Sequence, residues 1–354
     1  MFTVSLDIGV LGLASYYGPA FARRIAGRSD CTVVAASTTG VDDDALAALT
    51  RPTAGEFADA FDCPVYDAVE PTLDAADAVV AATATTRRAD DTVRALERGR
   101  PVLCAKPVAA SSADARRVAN AAARSDAPVV FTTPARYDDA IATVGRKLAA
   151  GDVGEVLAVR ADIRHDRVPP TGIEANAEHA PGEAGSTHAM AVYVADALLW
   201  FAPSPPTRVS AEYVNANTPH SAHPDLGTAT VRFGDDVLGT MTMTYSTDCR
   251  EAWGNWEVEV VGTDGVLRTA HQGYEGVHWT AGGDDDRSAS VFGRSTSPVL
   301  DRTLEAFLET VDGTRPERTP TADRIAAAHA LCDAWRRAAD EGPRTFESWP
   351  PAEY

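Results

Sequence analysis

Short apolar runs alternate with amphipathic segments of helical length through the first 130 residues, and this alternation restricts the fold more tightly than any other feature. The runs are VSLDIGVLGL, TVVAAS, DAVVAAT, PVLCA and PVVFTT, with one helical pattern reaching about Ala26 and another closing near Gly99. Strands separated by helices of this length form βαβ units on a parallel sheet. From Gly154 onward the strands lengthen and alternate in polarity: EVLAVRADIRH, RVSAEYVNA, GTATVRFGDD, VLGTMTMTYS and WEVEVVGTDGVLRTA. That pattern predicts an open, mostly antiparallel sheet with helices on one face. The expected fold class is therefore α/β, with an N-terminal domain over 1–130 and a C-terminal α+β domain over 131–354. FGDDV and GTDGV read as hairpins whose Gly and Asp adopt positive φ. Further helices are expected over about Thr187–Phe201 and Ala322–Asp340, and Gly282–Ser290 reads as a mobile loop.

Charge narrows the partners. A net charge of −19, with runs such as Asp42–Asp44 and Asp284–Asp286, repels nucleic acid phosphates and anionic lipid, so neither is an expected partner. The apolar run AVYVADALLWFA is interrupted by Asp196 and falls short of the roughly 18–20 residues that a membrane span needs, and no export signal is read at the amino terminus. Five scattered cysteines without a C-x-x-C pair argue against a disulfide framework and against a metal site, and point to the reducing cytoplasm. Lys106 and Lys147 are the only lysines among 32 basic residues. An acidic, lysine-poor chain fits an extreme halophile, and it fits a GC-rich genome equally.

The first strand runs into Gly9-Val10-Leu11-Gly12-Leu13-Ala14-Ser15-Tyr16-Tyr17-Gly18 ahead of a helix. A dinucleotide-binding turn needs glycines for tight turning, for close approach to a pyrophosphate and for helix packing. Here Gly12 keeps the first position, while Ala14 and Tyr17 stand at the second and third. Ser37-Thr38-Thr39 ends the second strand, where a carboxylate would select NAD. Neutral hydroxyls there favour NADP, with NAD as the alternative if one of Asp42–Asp44 folds back onto the ribose.

Ala95-Leu96-Glu97-Arg98-Gly99 followed by Ala105-Lys106-Pro107 resembles the pattern of the glucose-fructose oxidoreductase / inositol dehydrogenase / rhizopine catabolism (Gfo/Idh/MocA) family. The resemblance continues to Val260–Leu267. It implies a Rossmann domain, a nicotinamide cofactor and a catalytic-site lysine, Lys106. Cofactor-contacting positions implied by the match are Gly9, Gly12, Leu13, Ala14, Ser37, Thr38, Thr39, Thr83, Ala84, Thr85, Arg88 and Lys106. Departures from the pattern are Ala105 for its glutamate, Ala84-Thr85 for Pro-Asn and Arg88 for a histidine. In Gly185–Asp196, Ala189 stands at the first aspartate and Tyr193 at the histidine, while Asp196 is kept. A tyrosine there is similar to the sugar and dihydrodiol dehydrogenase branch, in which tyrosine transfers the proton. Arg136 matches the family's substrate-side segment, and Arg164 and His165 lie on the first strand of the second domain as further substrate contacts.

This chemistry is coherent, because a free tyrosine titrates near 10 and a nearby lysine cation, with the positive nicotinamide, favours tyrosinate. Tyr193 is the expected acid/base, with His188 as an alternative base, Lys106 its electrostatic partner and Asp196 the group orienting substrate. The expected activity is NAD(P)-dependent hydride transfer to or from a sugar, polyol or related hydroxy compound, in a homodimer or homotetramer. Two alternatives remain open at this level: a nucleotide-binding regulator on the same fold, and a redox-assisted lyase or glycosidase.

Overall fold

The structure, a computed structural model, describes residues 5–166, 187–216, 224–247, 255–270, 276–281, 286–290 and 296–351. Six strands, β1 (Leu6–Leu11), β2 (Cys31–Ser37), β3 (Val65–Tyr66), β4 (Ala78–Ala81), β5 (Val102–Cys104) and β6 (Val129–Phe131), pair in parallel in the order β3-β2-β1-β4-β5-β6. This is the doubly wound order, whose switch point between β1 and β4 opens a crevice at the strands' carboxyl ends. The strands are mostly apolar because both faces are covered.

Helices α1 (Tyr17–Ala26), α2 (Asp43–Ala48) and α3 (Ala54–Phe61) pack Phe21, Leu46 and Phe57 on one face, against Ile8, Val10, Val33 and Val80. On the other face lie α4 (Glu70–Ala75), α5 (Thr85–Glu97) and α6 (Ser112–Arg124), which bury Leu73, Leu96 and Val118 against Val79, Val102 and Phe131. A short α7 (Pro134–Tyr137) and α8 (Asp139–Ala149) lead into the second domain.

There, β7 (Val156–Asp166), β8 (Pro206–Val214), β9 (Leu226–Phe233), β10 (Val237–Thr247), β11 (Asn255–Gly262), β12 (Gly265–Ala270), β13 (Gly276–Ala281), β14 (Asp286–Ser290) and β15 (Arg344–Thr345) form one sheet. Its order is β14-β13-β12-β11-β7-β10-β9-β8-β15. Only the central β7–β10 pair is parallel, so the sheet is mostly antiparallel as expected. Val159, Ala161 and Ile163 of β7 are buried beneath α9 (Val192–Phe201), which a single π turn over Thr187–Ala191 precedes. Helix α9 is apolar on nearly all sides because the sheet, α8 and α11 (Ala322–Glu341) enclose it.

The structure departs from the sequence reading at several points. Helix α10 (Thr296–Val311) and α8 were not anticipated; α10 folds back to seat Leu300, Leu304 and Phe307 in the first domain's core. Part of the expected Gly282–Ser290 loop is instead strand β14, while 282–285 lie outside the described residues. GTDGV does form the β11–β12 hairpin, but no residue of its turn has positive φ. The amides of Thr263 and Asp264 donate to the carbonyls of Glu155 and Val153, at 2.9 Å each, and these bonds hold the turn. Cys31, Cys63, Cys104 and Cys332 are free and buried, and Cys249 lies outside the described residues. No helix among the described residues is long and apolar enough to cross a membrane.

Candidate active site

Gly12, just beyond β1, has φ +94°, and a Cβ there would lie 2.6 Å from the Ala82 carbonyl oxygen and 2.7 Å from Thr83 Cα. Only glycine fits so close a crossing of two strand ends. The close packing of helix on loop belongs to Gly18, where a Cβ would lie 2.2 Å from the Gly12 carbonyl oxygen. The third glycine is thus displaced by one residue rather than replaced by Tyr17. Gly9 serves differently from the expectation, since it lies within β1 and its missing Cβ admits Thr72 of α4. Leu13 points into the first domain's core, and Ala14 offers its carbonyl to Arg51 Nε at 3.3 Å.

At the end of β2, Ser37 and Thr38 are buried, while Thr39 is half-buried with φ +60°. Thr38 Oγ1 donates to Asp67 at 3.4 Å, and Arg87 Nη1 donates to the Thr39 carbonyl at 3.4 Å while also pairing with Asp91. Asp42 caps α2, and Asp43 accepts the Ala54 amide at 2.7 Å. Those two carboxylates are therefore engaged in helix ends rather than turned towards a ribose. The hydroxyls of Ser37, Thr83 and Thr85 are buried without a hydrogen-bond partner among the described residues. With the side-chain-free crossing at Gly12, they give the crevice at the β1–β4 switch point a polar lining that fits a dinucleotide. Ala84 is exposed at the start of α5. Arg88 is fully buried, and its guanidinium donates to the carbonyls of Thr83, at 2.5 Å, and Pro107. It ties two loops together from beneath, so its expected cofactor contact is replaced by a strut.

Lys106 sits in the loop after β5, its amide donating to Thr132 Oγ1 at 2.7 Å. Nζ donates to the Ala189 carbonyl at 3.1 Å and lies 5.0 Å from the centroid of the Tyr193 ring. Tyr193 stacks on Trp256 of β11 with centroids 6.2 Å apart, and its hydroxyl is 3.4 Å from that of Tyr17. Burial, reinforced by the Arg88 charge, pushes the Lys106 ammonium down to about 7. Burial pushes the Tyr193 phenol well above its ordinary value, and the Tyr17 hydroxyl adds to the effect. The cation rests on the ring face, and desolvation of the phenolate dominates.

Arg136 and Asp196, expected to bind substrate separately, form one buried bidentate pair, Nε to Oδ2 at 2.6 Å and Nη2 to Oδ1 at 2.8 Å. The guanidinium stacks 4.4 Å from the Trp200 ring centroid. Arg164 pairs with Glu257 at 3.3 Å. Since Ile163 and its register partner Trp256 face the Tyr193 side, Arg164 and Glu257 face away from it, and Arg164 is not brought to the site. The side chain of His165, and Gly185-Ser186 of the helix motif, lie outside the described residues. His188 is fully buried between His329, Nδ1 to Nδ1 at 3.0 Å, and Asp333, Nε2 to Oδ1 at 2.9 Å. One cleft brings together Lys106, Thr132, Tyr193, Asp196, Ile325 and His329. Trp256, His329 and Asp333 were not singled out in the sequence, because each comes from an element remote in the chain and no local motif marks it. Tyr17 was read only as the residue at the third glycine position, and Arg87, next to Arg88, was passed over.

A dinucleotide-type crossing at Gly12 and a lysine-lined cleft beneath a second sheet define a two-domain nucleotide-dependent class of protein. Residues 6–133 match the family profile described as "Oxidoreductase family, NAD-binding Rossmann fold", and residues 141–268 match the "GFO/IDH/MocA C-terminal domain". The chain belongs to the Gfo/Idh/MocA oxidoreductase family. Inositol 2-dehydrogenase of Leifsonia xyli subsp. xyli (strain CTCB07) is 30% identical over 178 residues, 49% of this chain and 50% of that protein, so the match spans about half the length of that relative. Levoglucosan dehydrogenase, solved with NADH and levoglucosan, shares the fold with a TM-score of 0.81 at 16% identity, covering 98% of this chain and 100% of that one. An oxidoreductase from Agrobacterium radiobacter, solved with NAD+, L-tartaric acid and magnesium, aligns with a TM-score of 0.74 at 17% identity, over 97% and 98% of the two chains.

Proposed function

We propose that the protein is an NAD(P)-dependent dehydrogenase or reductase that oxidises a secondary alcohol of a sugar or polyol, or reduces the matching carbonyl. The observation that carries this reading is Lys106, placed between the nucleotide crevice and Tyr193 with its ammonium pushed down to about 7. A nicotinamide dinucleotide supplies hydride exchange when bound. Around Gly12, Ser37, Thr38, Thr39 and Thr83, the chain would hold the cofactor. NADP is the proposed preference, supported by the neutral side chains of Ser37–Thr39 and by Arg87 at the Thr39 carbonyl.

Near neutral pH the Lys106 amine is present in both protonation states. It can take the proton of a substrate hydroxyl in oxidation or return it in reduction. Tyr193, kept neutral, closes one wall and binds through its hydroxyl, while the Arg136–Asp196 pair fixes the opposite wall. The inositol and levoglucosan dehydrogenases among the relatives support a polyhydroxylated substrate. We place the enzyme in the cytoplasm as a homodimer or homotetramer, associated through the outer face of the second sheet, where Val214 and Leu238 are exposed.

The test is fluorescence titration with NADPH and NADH in molar KCl, followed by a turnover screen over cyclic polyols and anhydrosugars. Tighter NADPH binding and polyol-dependent cofactor reduction are expected. Nucleotide binding without turnover would favour a regulator, and product without net cofactor reduction a redox-assisted lyase.

A further inference from the structure

Behind Lys106 lies a chain of three polar side chains that the proton chemistry above leaves unused. Asp333 of α11 accepts the Ser112 amide through Oδ2 at 3.0 Å, and its Oδ1 meets His188 Nε2 at 2.9 Å. His188 Nδ1 meets His329 Nδ1 at 3.0 Å, with the two rings stacked 5.1 Å apart. His329 is fully buried and lines the cleft beside Lys106 and Tyr193, and its Nε2 has no hydrogen-bond partner among the described residues.

A carboxylate can only accept, so the protons along Asp333, His188 and His329 are ordered from the carboxylate outward. His188 Nε2 donates to Asp333, and the order in which His188 holds that single proton turns the lone pair of Nδ1 towards His329. His329 must then donate from Nδ1, which leaves a lone pair on Nε2. Burial beside His188 pushes the His329 imidazole down to about 3, so it stays neutral at working pH. Hydrogen bonds from His188 and Ser112 outweigh burial and hold the Asp333 carboxyl below its ordinary range, so it stays ionised.

We infer that His329 Nε2 accepts a hydrogen bond from a second hydroxyl of the polyol, with His188 and Asp333 as positioning residues that fix its tautomer. This specificity assignment rests on the proposed polyol oxidation. It predicts that the cleft prefers vicinal diols and cyclic polyols over simple secondary alcohols, because a ligand without the second hydroxyl leaves the buried nitrogen unpaired.

Asp333→Asn provides a test that a merely structural role would not pass. The Ser112 amide requires an acceptor, which turns the asparagine oxygen towards it and the NH2 towards His188. Every proton in the chain then shifts, and His329 Nε2 becomes a donor. Nitrogen NMR of 15N-histidine-labelled full-length protein at pH 8 should show an unprotonated His329 Nε2 in the wild type and a protonated one in Asp333→Asn. Adding myo-inositol, or whichever polyol the screen shows to be oxidised, should move the wild-type Nε2 resonance. His329→Leu should raise KM for that polyol about ten- to hundredfold with a smaller change in kcat, and His329→Gln should restore most of the loss. A protonated Nε2 in the wild type, or a resonance unmoved by a polyol that the enzyme oxidises, overturns the assignment. Absence of turnover with every polyol sinks the functional reading itself, and this assignment with it.

Discussion

Lys106→Met is expected to stabilise the protein while removing its activity. Burial lowers the pKa of this lysine from 10.5 to about 7. Between those values the unfolded chain binds more protons than the folded one, so this residue makes stability rise with pH from about 7 to 10.5. Its destabilising effect is about 4 kcal/mol at pH 7 and below about 1 kcal/mol at pH 10. Methionine carries no charge to desolvate, but it loses the hydrogen bond to the Ala189 carbonyl, worth about 1 kcal/mol. The expected net gain is about 3 kcal/mol at pH 7 and close to nothing at pH 10. Urea unfolding of both proteins in molar KCl, at both pH values and with m compared, measures it directly. A methionine variant no more stable than the wild type at pH 7 would refute the argument that this ammonium is held against its solvation.

Other expectations follow from the same geometry. Tyr193→Phe should cost about tenfold or less in kcat, the scale of one neutral hydrogen bond, whereas a loss of thousands would return the proton to tyrosine. Gly18→Ala forces a methyl against the Gly12 carbonyl and should cost about 1–3 kcal/mol of stability, together with a weaker NADH titration. Asp196→Ala leaves the Arg136 charge buried and unpaired and should lower stability by about 3–5 kcal/mol, whereas joint replacement by Arg136→Met and Asp196→Leu should recover most of it.

The parallel sheet was legible because each of its longer strands is a short apolar run bounded by a helix, a pattern that both-face burial demands. Gly12 and Lys106 were legible because a backbone crossing and one of only two lysines each leave a mark within a few residues. Gly18 stands in the sequence one residue out of register, and only the 2.2 Å approach to the Gly12 oxygen shows that it carries the packing role. Helix α10 shows the apolar spacing of Leu300, Leu304 and Phe307, yet nothing local indicates that this face returns to the first domain. The pairing of Arg136 with Asp196 spans 60 residues and that of His188 with Asp333 spans 145. Such pairs depend on how α7, α9 and α11 meet, a tertiary fact that periodicity does not encode. The shifts at Lys106 and Tyr193 were not legible either, since the balance between charge and desolvation is set by burial rather than by spacing.

The central claim, that Lys106 moves the proton at a nucleotide-dependent polyol site, is tested most directly by Lys106→Ala. Polyol-dependent cofactor reduction should fall by about 10²–10⁴-fold, while NADPH and NADH bind as they do to the wild type. Turnover near the wild-type rate with the same cofactor affinity would contradict the account.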